Sequence, residues 1–180
     1  LTAQFSEANE TNFRSFLENK LSKIMSSNLE FSPKDVVLFG FGRIGRLVAR
    51  ELIKQAGKGQ QLRLKGIVVR NISNEQMIKR CDLFRNDSVH GAYKADIDLN
   101  LKEKCLTVNG QRIYFIEGKN HSEINYNKYG INDALLIDNS GAFTDKDSLS
   151  NHLESIGISK VLLTAPGKGI PNIVYGINSK

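Results

Sequence analysis

Asp35-Val-Val-Leu-Phe-Gly-Phe-Gly-Arg-Ile-Gly-Arg-Leu-Val-Ala-Arg50 is the stretch that decides the fold. Its first part, Val36-Val-Leu-Phe39, is a continuous apolar run, as expected of a strand covered on both faces. Ile44, Leu47, Val48, Leu52 and Ile53 then recur at helical spacing, and Gly57 closes the helix they predict. Between strand and helix, Gly40-Phe41-Gly42-Arg43-Ile44-Gly45 matches G-x-G-x-x-G. That pattern is weak alone and gains its meaning from this strand-to-helix context. Gly40 permits the tight turn, Gly42 has no Cβ to keep a pyrophosphate off the backbone, and Gly45 lets the helix pack closely on the sheet. Unpaired N–H groups at the helix start, at the positive end of its dipole, suit phosphate.

The same alternation extends outward. Gly66-Ile-Val-Val69 reads as a second buried strand, and Ser73 with Gln76 forms a capping box for a helix carrying Met77, Ile78, Cys81 and Phe84. Strand, helix, strand, helix implies a parallel sheet. Ala95-Asp-Ile-Asp-Leu99 alternates like a half-exposed strand, and Cys105–Val108 and Arg112–Ile116 flank Asn109-Gly110, a strong hairpin signal. The earlier rhythm then returns: a strand at Ala134–Asp138, a helix capped by Thr144 with Leu149, Leu153 and Ile156, and strands at Lys160–Thr164 and Asn172–Ile177. The expected fold is α/β and Rossmann-type: doubly wound, mainly parallel, with an inserted antiparallel hairpin. Residues 1–33 read as a helical N-terminal extension in which Phe13, Phe16, Leu17, Leu21 and Ile24 form one apolar face. Residues 34–180 form the main domain.

Composition removes several functional classes. The chain of 180 residues has 40% hydrophobic and 24% charged residues, and no apolar run long enough for a membrane span. Its net charge of +6 is scattered, without the basic runs and interleaved aromatics of a nucleic-acid surface. Cys81 and Cys105 show no metal or redox spacing, which points to two small buried hydrophobes in a reducing cytoplasm. The first residues lack the pattern of a signal peptide. Because the second strand ends Val69-Arg-Asn-Ile-Ser73 with no carboxylate, either the adenosine ribose is held differently or a 2′-phosphate meets Arg70.

Five segments in register resemble the glyceraldehyde-3-phosphate dehydrogenase family. They are Phe39-Gly-Phe-Gly-Arg-Ile-Gly-Arg46, Asp87-Ser-Val-His-Gly91, Leu135-Leu-Ile-Asp-Asn-Ser-Gly-Ala-Phe-Thr144, Thr164-Ala-Pro166 and Gly176-Ile-Asn178. The resemblance implies a nicotinamide dinucleotide cofactor, NAD or NADP. It places Gly40, Phe41, Gly42, Arg43, Ile44 and Gly45 at the pyrophosphate, with Arg43 and Ile44 offering backbone N–H groups. Arg70, Asn71 and Ile72 fall at the adenosine ribose, and Lys119 near the adenine. Ser140, Gly141 and Phe143 line the middle of the cofactor, and Thr164 its nicotinamide side. Phe39 stands where the family usually has Asn. Ile72 replaces the ribose-binding Asp of NAD-using members, and Asn139-Ser140 replaces a Ser-Thr pair.

The family oxidises and phosphorylates an aldehyde through a cysteine thiolate, with hydride passing to the nicotinamide. The resemblance implies that the nucleophile, the base and the phosphate site lie beyond Lys180, and that this piece alone is inactive. No residue here is then catalytic and none binds metal. His90 is expected to be structural, and His121 and His152 to lie at the surface. The full-length protein is expected to be a cytoplasmic homo-oligomer acting on a phosphorylated aldehyde. The other readings are a stand-alone dinucleotide sensor and a relative acting on erythrose-4-phosphate.

Overall fold

A computed structural model describes residues 15–17, 21–22, 32–57, 60–118 and 124–179. The chain divides into two compact units, Leu1–Ser32 and Pro33–Lys180. In the first, residues 15–17 and 21–22 are helical and Phe16 is buried. Phe13 and Ile24 of the expected apolar face lie outside the described residues.

The second unit begins with β1 (Lys34–Phe39), α1 (Arg43–Lys54), β2 (Leu62–Val69) and α2 (Asn74–Arg85). A small pair, β3 (Asn86–Asp87) and β4 (Gly91–Ala92), leads to β5 (Ile97–Asn100), β6 (Cys105–Val108) and β7 (Gln111–Glu117). A 3-10 turn (Tyr126–Tyr129) precedes β8 (Ala134–Asp138), α3 (Lys146–Ser150), a second 3-10 turn (Asn151–Glu154) and β9 (Ile158–Leu163).

The large sheet runs β5-β6-β7-β2-β1-β8-β9. β7, β2, β1, β8 and β9 are mutually parallel, in the 3-2-1-4-5 order of a doubly wound sheet. Strand order reverses between β2 and β8 around β1, where Leu38 faces Ile67 on one side and Ile137 on the other. A crevice outside the carboxyl ends of β1 and β8 is where such sheets bind ligands. The core forms two clusters, with Val36 and Leu38 in one and Val37 and Phe39 in the other. Alternate side chains of β1 thus point to opposite covered faces, which explains its unbroken apolar run.

The Asn109-Gly110 hairpin forms as expected, with φ of +48° and +82°, the sign a two-residue type I′ turn requires at both positions. β7 leaves that turn antiparallel to β6 and lies parallel to β2 on its other edge. Ser73 caps α2, its hydroxyl accepting the Gln76 N–H at 3.4 Å. The guanidinium of Arg50, buried on α1, donates to the carbonyls of Phe84 and Gly91 and ties the β3–β4 turn to the helix.

Several expectations need correction. Ile44 on α1 is 52% exposed, and the buried face runs through Gly45, Ala49, Leu52 and Ile53 instead. The cause is Gly45: a Cβ there would collide with the Gly40 carbonyl oxygen, so this glycine must face the sheet and Ile44 is turned outward. Ile78 is likewise exposed on α2, beside the buried Met77 and Cys81. Asp145, rather than Thr144, caps α3, its carboxylate accepting the Ser148 N–H at 2.9 Å. That helix tightens to 3-10 after five residues, leaving Leu153 and Ile156 exposed. Residues 172–177 form no strand. Among the described residues no strand pairs with them, and Tyr175 is 96% exposed. An apolar run predicts a strand only where a partner exists.

Gly45→Ala should lower unfolding stability by about 1–3 kcal/mol, because the clash is with backbone and cannot relax by a rotamer change. Gly42→Ala, whose Cβ would meet nothing within 4 Å, should change it by less than about 1 kcal/mol. Denaturant melts of the two variants check this, and equal losses would refute it.

Candidate functional site

The chain reverses direction at Gly40, whose φ is +92° and whose N–H donates to the Val68 carbonyl at 2.9 Å. A Cβ at Gly40 would lie 3.1 Å from both Ser140 Cα and Ser140 N, so the turn rests against the exit of β8. Gly42 caps α1 without any side-chain hydrogen bond, and the first turn carries no acidic residue. The first intrahelical bond runs from Arg46 N–H to the Gly42 carbonyl at 3.0 Å, so the preceding N–H groups open toward the crevice. Space beside Gly42 is clear to 4 Å. An anion with several oxygens fits there: donors and dipole are present, the first turn of α1 brings no acidic side chain, and a Cβ at Gly42 would fill the approach.

A cleft of about 460 Å³ continues from this turn along the ends of β1, β2 and β8. Gly40, Phe41, Gly42, Arg70, Ser140 and Phe143 line it, as six of the residues singled out by sequence. The Phe41 ring is buried 5.6 Å from that of Phe84 and 6.1 Å from that of Phe115, and so anchors the turn. Arg43, Ile44 and Gly45 form the first turn of α1. Gly141 follows Ser140 with φ of +68°. Asn71 and Ile72 stand outside the cleft wall. Asn71 Oδ1 accepts the Ser73 N–H at 2.7 Å, and Ile72 packs against the first core cluster. Thr164 is also outside it, its hydroxyl donating to the Asp138 carbonyl at 3.0 Å. Lys119 and His121 lie outside the described residues.

Among the lining residues that no sequence motif marked are Arg80 from α2 and Gly118 after β7. A Cβ at Gly118 would press on Ile124 and Val68, a tertiary constraint with no local signature. Arg80 lies on the half-exposed side of a helix, where an arginine is ordinarily only solvated.

The sequence places His152 at the surface, yet it is fully buried, with Nε2 3.0 Å from Asp138 Oδ2. The other oxygen of Asp138 accepts the N–H and the hydroxyl of Ser140, both at 2.7 Å. The imidazole packs edge-on against Phe39 and Phe143, with centroids at 4.7 Å and 5.5 Å. Asp138 therefore shapes the loop that closes the cleft, and His152 buttresses Asp138 from below. The 3-10 turn carries His152 inward, and the apolar periodicity around it gave no hint of that.

On the far side of the turn, the Asp87–Gly91 segment docks on α1. Asp87 Oδ1 accepts the N–H groups of Val89 and His90 at 2.9 and 3.0 Å and faces His90 Nδ1 at 3.1 Å, which gives His90 the expected structural place. Its Oδ2 lies 3.5 Å from Arg46 Nη2 and 3.7 Å from Arg43 Nε. The backbone N–H of His90, then that of Val89 and the His90 ring, hold the Asp87 carboxyl well below the usual carboxylate range, with Arg43 adding to the effect. Arg43 also donates to Ser88 Oγ at 3.1 Å. Its guanidinium is thus engaged away from the crevice, and its backbone N–H is what it presents there.

Fold and cleft together define a dinucleotide-binding domain of Rossmann type. The model of the glyceraldehyde 3-phosphate dehydrogenase NAD-binding domain matches residues 34–146, and the chain belongs to that family. A glyceraldehyde-3-phosphate dehydrogenase-like protein of Pseudomonas aeruginosa (strain UCBPP-PA14) is 43% identical over 99% of this chain and 40% of its own length. That coverage takes in the N-terminal unit. The glyceraldehyde-3-phosphate dehydrogenase of Chlamydia pneumoniae is 34% identical over 81% of the chain and 40% of its own. The cytosolic enzyme of Antirrhinum majus is 34% identical over 83% and 41%. The chain thus spans about two fifths of the length of the curated relatives it matches.

The depressed Asp87 carboxyl makes part of the domain's stability depend on pH. Its contribution is complete above the ordinary aspartate value, about 4, and is lost as pH falls below it. Thermal midpoints of wild type and Asp87→Asn should therefore differ by a constant amount between neutral pH and about pH 5, then converge in more acidic buffer. A gap that stays constant to the acid limit would show that Asp87 acts by packing alone.

Proposed function

We propose that this chain is the cofactor-binding part of a phosphorylating glyceraldehyde-3-phosphate dehydrogenase. The observation that carries this is the glycine turn at the point where strand order reverses: Gly40 bends, Gly42 leaves room, and the open N–H groups of α1 face the crevice. The backbone N–H groups at Gly42, Arg43 and Ile44 hold the pyrophosphate. The cleft beyond Val69 takes the adenosine, and the Ser140–Phe143 loop borders the path toward the nicotinamide. When bound, the nicotinamide supplies the hydride acceptor for aldehyde oxidation. The names of the relatives support the substrate class, a phosphorylated aldehyde, and two plant relatives named as cytosolic accord with a cytoplasmic enzyme.

In the whole enzyme a cysteine thiolate would add to the aldehyde carbon to give a hemithioacetal. A base would take its hydroxyl proton while hydride passes to the bound nicotinamide, and inorganic phosphate would then displace the thiolate from the resulting thioester, releasing an acyl phosphate. Neither cysteine of this chain fits that role. Cys81 and Cys105 are buried, and burial pushes both thiols upward, away from the thiolate. The 180-residue chain should accordingly show no aldehyde-dependent cofactor reduction with glyceraldehyde-3-phosphate and phosphate. Turnover that survives replacement of both cysteines would overturn the assignment.

The cofactor choice extends to NADP. A carboxylate at the end of β2 would bind the ribose hydroxyls and repel a 2′-phosphate. Among the described residues lining the cleft there is none. Calorimetric titration of the chain should show NADP bound at least as tightly as NAD, and Gly42→Ala should weaken both by about tenfold or more. Equal affinity of wild type and Gly42→Ala would contradict the pyrophosphate site. NAD bound more than about tenfold tighter than NADP would contradict the cofactor choice alone.

A further inference from the structure

We propose that Arg80 is the residue that grips the 2′-phosphate of NADP, making the end of the cleft at β2 a built phosphate subsite; this rests on the dinucleotide reading of the cleft. Arg80 sits in the middle of α2, and its side chain folds back toward the helix start. Nη1 donates to the carbonyls of Asn71 at 3.3 Å and Gln76 at 3.1 Å, and to Gln76 Oε1 at 3.1 Å. These three contacts fix the guanidinium over the β2–α2 connection, where a Rossmann domain meets the adenosine ribose.

All three contacts use one nitrogen. Among the described residues, no acceptor meets Nε or Nη2, and no carboxylate pairs with Arg80. The side chain is half-buried and lines the same cleft as Gly40 and Gly42. Burial lowers its pKa, the mark of a cation that has lost water without gaining a counter-charge. Such a group is costly unless something anionic completes it. The remaining Nε–Nη2 edge is the planar fork that binds phosphate through two parallel hydrogen bonds.

The surroundings favour an anion as well. Arg70 lines the cleft beside it, and Lys104 Nζ donates to the Ile72 carbonyl at 2.9 Å on the same connection. Glu75, the acid in the first turn of α2, is exposed and outside the cleft wall. With Ile72, packed against the core, at the end of β2 where a ribose carboxylate would stand, the described residues lining the subsite include cations and no carboxylate.

Titrations of the whole chain with NADP and NAD, and with 2′,5′-ADP and ADP as probes without nicotinamide, test the assignment. Arg80→Gln should weaken NADP and 2′,5′-ADP by about tenfold or more while leaving NAD and ADP within about twofold. Arg80→Lys should fall between, since it keeps the charge and loses the fork. Wild-type affinity for NADP should fall more steeply with salt than that of Arg80→Gln. Retained NAD binding reports that each variant is folded. An unchanged NADP-to-NAD ratio in Arg80→Gln, whether both affinities drop or neither does, would overturn the role of Arg80 while leaving the cofactor site standing. A wild type that binds none of the four probes would overturn the dinucleotide site itself.

Discussion

The contact between the Gly40 carbonyl and the bare Cα of Gly45 sets the geometry from which the rest of the site follows. The helix can come that close to the strand end only because Gly45 has no side chain. Fixing Gly45 inward fixes the rotation of α1, which turns Ile44 into solvent and buries Ala49, Leu52 and Ile53. The same rotation directs the open N–H groups of the first turn into the crevice beside Gly42. A positive φ at Gly40 makes the reversal possible and disfavours any side chain there, and the close approach of Ser140 behind it leaves little room for one.

Two polar nodes hold the walls of that crevice. Asp138 ends β8 and gathers Ser140, His152 and Thr164 through its carboxyl and carbonyl groups. Around it Phe39, Phe143 and His152 pack edge to face, so the cleft-lining loop rests on an aromatic floor. Phe39, the last residue of β1, is part of that floor. On the other flank, Asp87 collects backbone N–H groups of its own loop and the guanidinium groups of Arg43 and Arg46. Each node satisfies a buried carboxyl with several partners, which is what permits burial at all.

Much of this was legible beforehand. The glycine spacing, the run at Val36–Phe39 and Asn109-Gly110 act through local chemistry, and they located the turn, the central strand and the hairpin. What could not be read depended on distant partners. His152 reads as an exposed polar residue until β8 supplies Asp138. Arg80 and Gly118 meet the cleft only because α2 and the end of β7 converge there. Residues 172–177 have the apolar pattern of a strand, but no strand among the described residues pairs with them. Asn71 and Ile72 follow the cleft-lining Arg70 in sequence, but their side chains are committed to the β2–α2 turn and to packing against the core.

The most direct measurement is a backbone amide NMR titration of the chain with NADP. The amides of Gly42, Arg43 and Ile44, together with those of Asn139–Gly141, should shift first and most, since they border the turn and the cleft. The groove at the other end of α1, lined by Arg50, Lys54, Lys94 and Gln111, should stay silent. Shifts concentrated in that groove, with the Gly42–Ile44 amides unmoved, would contradict the claim that the glycine turn at the strand reversal is the cofactor's binding site.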